Sequence, residues 1–99
     1  MPQFDVYRPR SGGELLLDCQ SDVLGHLNTR LAVPLMPLDR APKPAGRLNP
    51  LFEIEGERLS MVTQFAASVP AGELRDQIAS LAPHYLEITG ALDVLVGGV

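Results

Sequence analysis

A chain of 99 residues with 45% apolar side chains is long enough for one domain with one core, and too apolar for disorder. Its net charge of −4 argues against a general nucleic-acid binder, which would present a basic face, although Arg8 and Arg10 lie close together. A single cysteine excludes an intrachain disulfide, no apolar run approaches a membrane span, and residues 1–5 lack a signal-peptide pattern, so a soluble cytoplasmic protein is expected.

Residues 3–7 alternate, with Phe4 and Val6 on one side and Gln3, Asp5 and Tyr7 on the other, predicting a half-buried first strand. Arg8-Pro9-Arg10-Ser11-Gly12-Gly13 is a turn by composition. A second strand over 14–19 makes a hairpin with the first. Gln20-Ser21-Asp22 leaves that strand, its Ser and Asp favouring a turn, and 23–28 is a connector. The stretch 29–35 reads as the central strand, because Leu31, Val33 and Leu35 recur at a spacing of two. Pro34 has no N–H for a ladder, so the strand is expected to leave its sheet there.

Pro37, Pro42, Pro44, Pro50 and Gly46 predict a surface loop over 36–50. Residues 51–62 read as a hairpin turning at Glu55-Gly56-Glu57, and 63–69 as extended chain ending at Pro70. The last third reads as helical. One or two short turns over 73–81 carry Leu74, Ile78 and Leu81. A helix then starts at Pro83, with Tyr85, Ile88, Leu92 and Leu95 as its buried stripe, and ends at Gly97-Gly98. Gly90 inside that helix marks close packing.

The residues alone do not compose an active site. His26 and His84 lack metal-ligand spacing, and no cofactor motif is present. Cys19 reads as a small core residue on a strand. Ser21, His84 and Asp22 can be written as a triad, but no nucleophile elbow accompanies them. Glu53, Glu55 and Glu57 read as a solvated sheet face. Arg30 with Thr29 is the one ribonuclease-like pair, and it has little positive charge near it. A binding module is favoured over an enzyme, with pairing into a homodimer.

Four blocks in order carry a resemblance: Gln3-Phe4-Asp5-Val6-Tyr7; Leu17-Asp18-Cys19-Gln20-Ser21-Asp22; Thr29-Arg30-Leu31-Ala32-Val33-Pro34-Leu35; and Asn49-Pro50-Leu51-Phe52-Glu53-Ile54, continuing through Met61-Val62-Thr63 to Ala67-Ser68-Val69-Pro70. With the helical end they resemble the CcdB family, the toxin half of a bacterial toxin–antitoxin pair. The resemblance implies a mainly β fold with a C-terminal helix, an SH3-like barrel of antiparallel sheets, as one domain and a homodimer. It implies a toxin without cofactor or metal that binds the GyrA-type subunit of DNA gyrase, traps the enzyme on cleaved DNA and serves plasmid maintenance. It also implies a cognate antitoxin whose disordered segment wraps the toxin, and no direct contact with nucleic acid or membrane. The loop 8–13 and the proline-rich loop are the places where such a segment is expected to bind.

The family's gyrase contact uses a terminal Trp-Gly-Ile; here the end is Gly97-Gly98-Val99. Val23 and Leu24 stand where the family has two isoleucines, and Asp93 where it has a helpful asparagine. Gyrase contact is therefore expected at Val23, Leu24, Asp93, Gly97, Gly98 and Val99, without the tryptophan anchor. Two alternatives remain open: a CcdB-like fold that keeps its antitoxin and has lost gyrase poisoning, and a MazF-like ribonuclease toxin.

Overall fold

Residues 2–98 are described by a computed structural model. The elements are β1 (Asp5–Pro9), β2 (Leu15–Asp18), β3 (Thr29–Pro37), β4 (Leu51–Ile54), β5 (Glu57–Met61), β6 (Ala67–Pro70), β7 (Leu74–Ser80) and α1 (Tyr85–Gly97). All pairings are antiparallel, in the order β4-β5-β3-β2-β1-β7, with β6 also on β3. The sheet curls into a half-barrel with α1 across it, an SH3-like barrel as the resemblance implied.

β3 organises the sheet because it is long enough to serve three partners. On one edge it pairs with β2, where Leu17 faces Val33 and Leu15 faces Leu35. On the other edge it pairs with β6 through residues 29–32 and with β5 through 35–37. Pro34 falls between those two partners, so the strand continues to Pro37 instead of leaving the sheet. In an antiparallel strand a residue's nitrogen and carbonyl face the same edge. The Pro34 carbonyl accepts from the Val62 N–H at 3.0 Å, so its nitrogen faces the edge where β6 gives way to β5. Val33 and Leu35 enter the core as their spacing predicts, while Leu31 remains partly exposed.

The β4–β5 hairpin turns through Glu55 and Gly56, both at positive φ (53° and 80°), the two-residue geometry that matches strand twist. Residues 63–69 are not uniformly extended: Thr63–Phe65 is a 3₁₀ turn that leads into β6. The proline-rich segment is less of a free loop than expected. Its end folds as a 3₁₀ turn, Gly46–Leu48, packed against α1.

The expected helical turns over 73–81 are a strand instead. β7 pairs with the outer edge of β1, with register irregularities between Val6 and Tyr7 and between Arg8 and Pro9. Those irregularities explain the misleading pattern. They break strict alternation, so Leu74 is buried, Ile78 packs on the core and Leu81 enters it at helix-like spacings. β7 also covers the outer edge of β1. Asp5 and Tyr7 are also buried, so β1 is enclosed on both faces instead of one.

Pro83 sits in a 3₁₀ turn, Ala82–His84, and α1 follows it. The buried stripe of α1 is shorter than predicted. Ile88 and Ala91 are fully buried and Leu92 packs beside them, but Tyr85 is 54% and Leu95 42% exposed. Gly98 caps the helix at φ 70°, its N–H donating to the Val94 carbonyl at 3.1 Å.

Candidate interaction surface

Val23 and Leu24 lie in a 3₁₀ turn, Asp22–Leu24, and face solvent at 82% and 44% exposure. The residues before them explain that placement. The Ser21 hydroxyl accepts from the Val23 N–H at 3.3 Å, and Asp22 Oδ1 accepts from the Gln3 N–H at 2.8 Å. Gln20 Nε2 donates to the Leu24 carbonyl at 2.9 Å, while its Oε1 accepts from the Leu31 N–H at 3.0 Å. Gln20, Ser21 and Asp22 thus spend their polar groups holding the turn against β1 and β3. Two apolar side chains are left outside with no core to enter.

Asp93, Gly97 and Gly98 lie exposed on the second half of α1 and its cap. Val99 lies outside the described residues. Asp93 and Gly97 are four residues apart on one side of the helix, so the fold brings them together. The Asp22–Leu24 turn and α1 share no extensive packing, so Val23 and Leu24 form a separate patch. The outward side of α1 adds Tyr85, Leu86 and Val96, all more than half exposed. Sequence reasoning missed this surface by assigning Tyr85 to the buried stripe. The signal available was that α1 is apolar around most of its circumference, with only Glu87 and Asp93 charged.

Two clefts open on the surface, the first beside α1 and the second away from both patches. One, of about 440 Å³, lies between Leu86, Glu87 and Gly90 of α1 and Gly46, Arg47 and Pro50 opposite. Gly90 does not mark close packing: a methyl group there would meet Arg47 Nη2 at 3.6 Å, an ordinary contact. The other, about 240 Å³, lies where the β1–β2 loop, Arg40 and the β4–β5 turn converge. Arg8 Nη2 stands 3.6 Å from Glu55 Oε1 across it, and Arg40 Nη2 is 2.8 Å from Glu14 Oε1. Both loops expected to receive an antitoxin segment therefore border one polar cleft.

The catalytic alternatives do not assemble. Ser21 and Asp22 are engaged in the turn, whereas His84 Nδ1 lies 3.0 Å from Glu87 Oε1, with its ring tilted on Phe52. Among the described residues no group of acidic, histidine and cysteine side chains can hold a metal. Cys19 is buried, and desolvation, with the nearby Asp18 charge, pushes its thiol up to about 12, which disfavours the reactive thiolate. Arg30 is 1% exposed, and its guanidinium grips the fully buried Asp18 carboxylate, with Nη2–Oδ2 at 2.7 Å and Nε–Oδ2 at 3.1 Å. The pair welds β2 to β3 and gives Arg30 no path to a solvent phosphate. Among the described residues no helix is long and apolar enough to cross a membrane.

The fold is similar to that of a solved structure titled "Endoribonuclease from Mycobacterial species", at 17% identity and a TM-score of 0.77, over 97% of this chain and 91% of that one. At that identity the likeness speaks for the barrel alone. The family model described as "CcdB protein" matches residues 3–98, which takes in the Gln20-Ser21-Asp22 block, β3 and all of α1. The chain belongs to the CcdB family, the toxins of toxin–antitoxin pairs.

Proposed function

We propose that this protein is a toxin that poisons DNA gyrase by binding its GyrA-type subunit, through contact and not by catalysis, and that a cognate antitoxin neutralises it. The observation that carries the reading is the outward placement of Val23 and Leu24 together with the exposed end of α1, at the positions where the family's gyrase contact stands. The toxin acts as a homodimer in this reading, as the family resemblance implies. The antitoxin's disordered segment is assigned to the polar cleft bordered by Arg8, Glu14, Arg40 and Glu55, which both candidate loops border and whose charged rim suits a polar, extended peptide.

The test is supercoiling and cleavage by purified gyrase with the protein added, beside a Gly97→Trp variant. The natural protein is expected to trap cleaved DNA, and the variant to do so at lower concentration, since a buried indole anchor is worth roughly 2 kcal/mol or more. Trapping by the variant alone would identify a scaffold that lacks its anchor. Inactivity of both would sink the proposal.

A ribonuclease reading has one observation in its favour, the barrel shared with a protein titled an endoribonuclease. The enclosure of Arg30 by Asp18 weighs against it. Cleavage of RNA by the purified protein would reverse that judgement.

A further inference from the structure

The chain enters β1 through a turn that its residues do not favour. The Asp5 N–H donates to the Pro2 carbonyl at 3.4 Å, closing a four-residue turn whose third residue, Phe4, stands at φ 73°. Glycine or asparagine is the usual occupant of such a position, and a bulky side chain adopts it only where its surroundings impose it. Here they do. The Phe4 ring is buried in the core. The Phe4 N–H donates to the Asp18 carbonyl of β2 at 2.6 Å, and its carbonyl accepts from the Leu81 N–H, just past β7, at 2.8 Å. β2 and β7 flank β1 on opposite edges, whereas in an extended strand a residue's N–H and carbonyl face one edge. The left-handed backbone lets Phe4 serve both.

The same turn brings Gln3 to the end of β2. Its Nε2 donates to the Cys19 carbonyl at 3.1 Å, and its N–H donates to Asp22 Oδ1 at 2.8 Å. These bonds reach a turn that packing does not hold, because no residue of Asp22–Leu24 is buried. Asp22 is itself exposed, so its bond to Gln3 adds nothing to the core. What the bond fixes is the pose of the two apolar side chains that follow. A turn already held in one pose loses less conformational freedom when a partner covers it. Resting on the gyrase-directed reading above, we infer that Gln3 and Asp22 are positioning residues of the contact surface. The left-handed turn at Phe4 presents Gln3 to Asp22, and their hydrogen bond pre-sets Val23 and Leu24 for the target.

The test joins amide hydrogen exchange of the free protein with calorimetric binding to purified GyrA protein. It compares the natural protein with Asp22→Ala, Asp22→Asn, Gln3→Pro and, as a surface control, Glu53→Gln. Thermal melts confirm that each variant is folded. Asp22→Ala removes the acceptor, while Asp22→Asn keeps a side-chain oxygen in its place. Gln3→Pro removes the donor from the other side, and proline suits the second position of such a turn. Asp22→Ala and Gln3→Pro are expected to speed exchange about tenfold at Leu24 and Gly25, whose N–H groups close the turn, with β3 unaffected. Both should weaken binding about fivefold. Asp22→Asn should restore most of the exchange protection and the affinity, and Glu53→Gln should behave as the natural protein.

Unchanged exchange at Leu24 and Gly25 in Asp22→Ala or Gln3→Pro would overturn the inference, as would faster exchange with unchanged affinity; the gyrase reading survives either result. An Asp22→Asn variant that binds as weakly as Asp22→Ala would show that the charge, not the tie to Gln3, is what matters, and would overturn it too. If the folded natural protein does not bind GyrA, the gyrase reading falls and takes the inference with it.

Discussion

Asp18 and Arg30 are the largest electrostatic commitment in the molecule. Both are almost wholly enclosed, on the face of β2 and β3 opposite the side chains of Leu17 and Val33. Enclosed charges are tolerable only while each satisfies the other, so the pair acts as a condition on the fold more than as a source of stability. Asp18→Ala leaves a buried guanidinium without its carboxylate and is expected to cost about 3–5 kcal/mol in urea unfolding. Adding Arg30→Met should recover part of that loss; a double variant as damaged as the sum of the singles would refute the coupling. Neither residue announced this from sequence. Asp18 and Arg30 each read as part of a family block, with a phosphate-binding role for Arg30 disfavoured, because sequence spacing does not say that two charges twelve residues apart meet across a strand pair.

The β1–β2 loop shows how an exposed segment is held by the element it crosses. The Ser11 hydroxyl and N–H both donate to Glu73 Oε1, and the Arg10 N–H donates to the Glu73 carbonyl at 2.9 Å. The Ser11 hydrogen bonds, with a smaller contribution from Arg10, hold the Glu73 carboxyl below its ordinary pKa of 4.5. A depressed carboxylate stabilises the folded state above the ordinary value, and that contribution is lost as pH falls through the lower folded value. Thermal melts of the natural protein and Glu73→Gln should therefore differ near neutrality and converge in acid. A constant gap across the range would rule this anchor out. The anchor exists because β7 is a strand delivered to the edge of β1. Leu74, Ile78 and Leu81 satisfy a helix template as well as a bulged strand, and only pairing with a strand some seventy residues earlier distinguishes them.

For the molecule as a whole, Cys19 is an internal reporter. It belongs to the same core as Phe4, Val33 and Ile88, so first, middle and last elements must part before a reagent reaches it. Its thiol, raised to about 12, is also scarcely ionised at neutral pH. Thiol labelling in native buffer is expected to be negligible and to rise with urea along the global unfolding curve. Labelling well before that curve would mean that the core opens locally. Composition excluded an intrachain disulfide, showed no apolar run of membrane-spanning length and argued against a general nucleic-acid binder. Alternation located the β1–β2 and β4–β5 hairpins, the apolar face of β3 and the existence of α1, and ordered blocks identified the family. These features are legible because each depends on residues adjacent in sequence or on a period of two or about four. The path of β3 past Pro34, the strand at Leu74–Ser80, the Asp18–Arg30 pair and the side of α1 that faces solvent were decided by tertiary structure. Each depends on what stands opposite: β6 giving way to β5, the free edge of β1, a charge on the next strand, and a core with room for Ile88 and Ala91 but not for Tyr85.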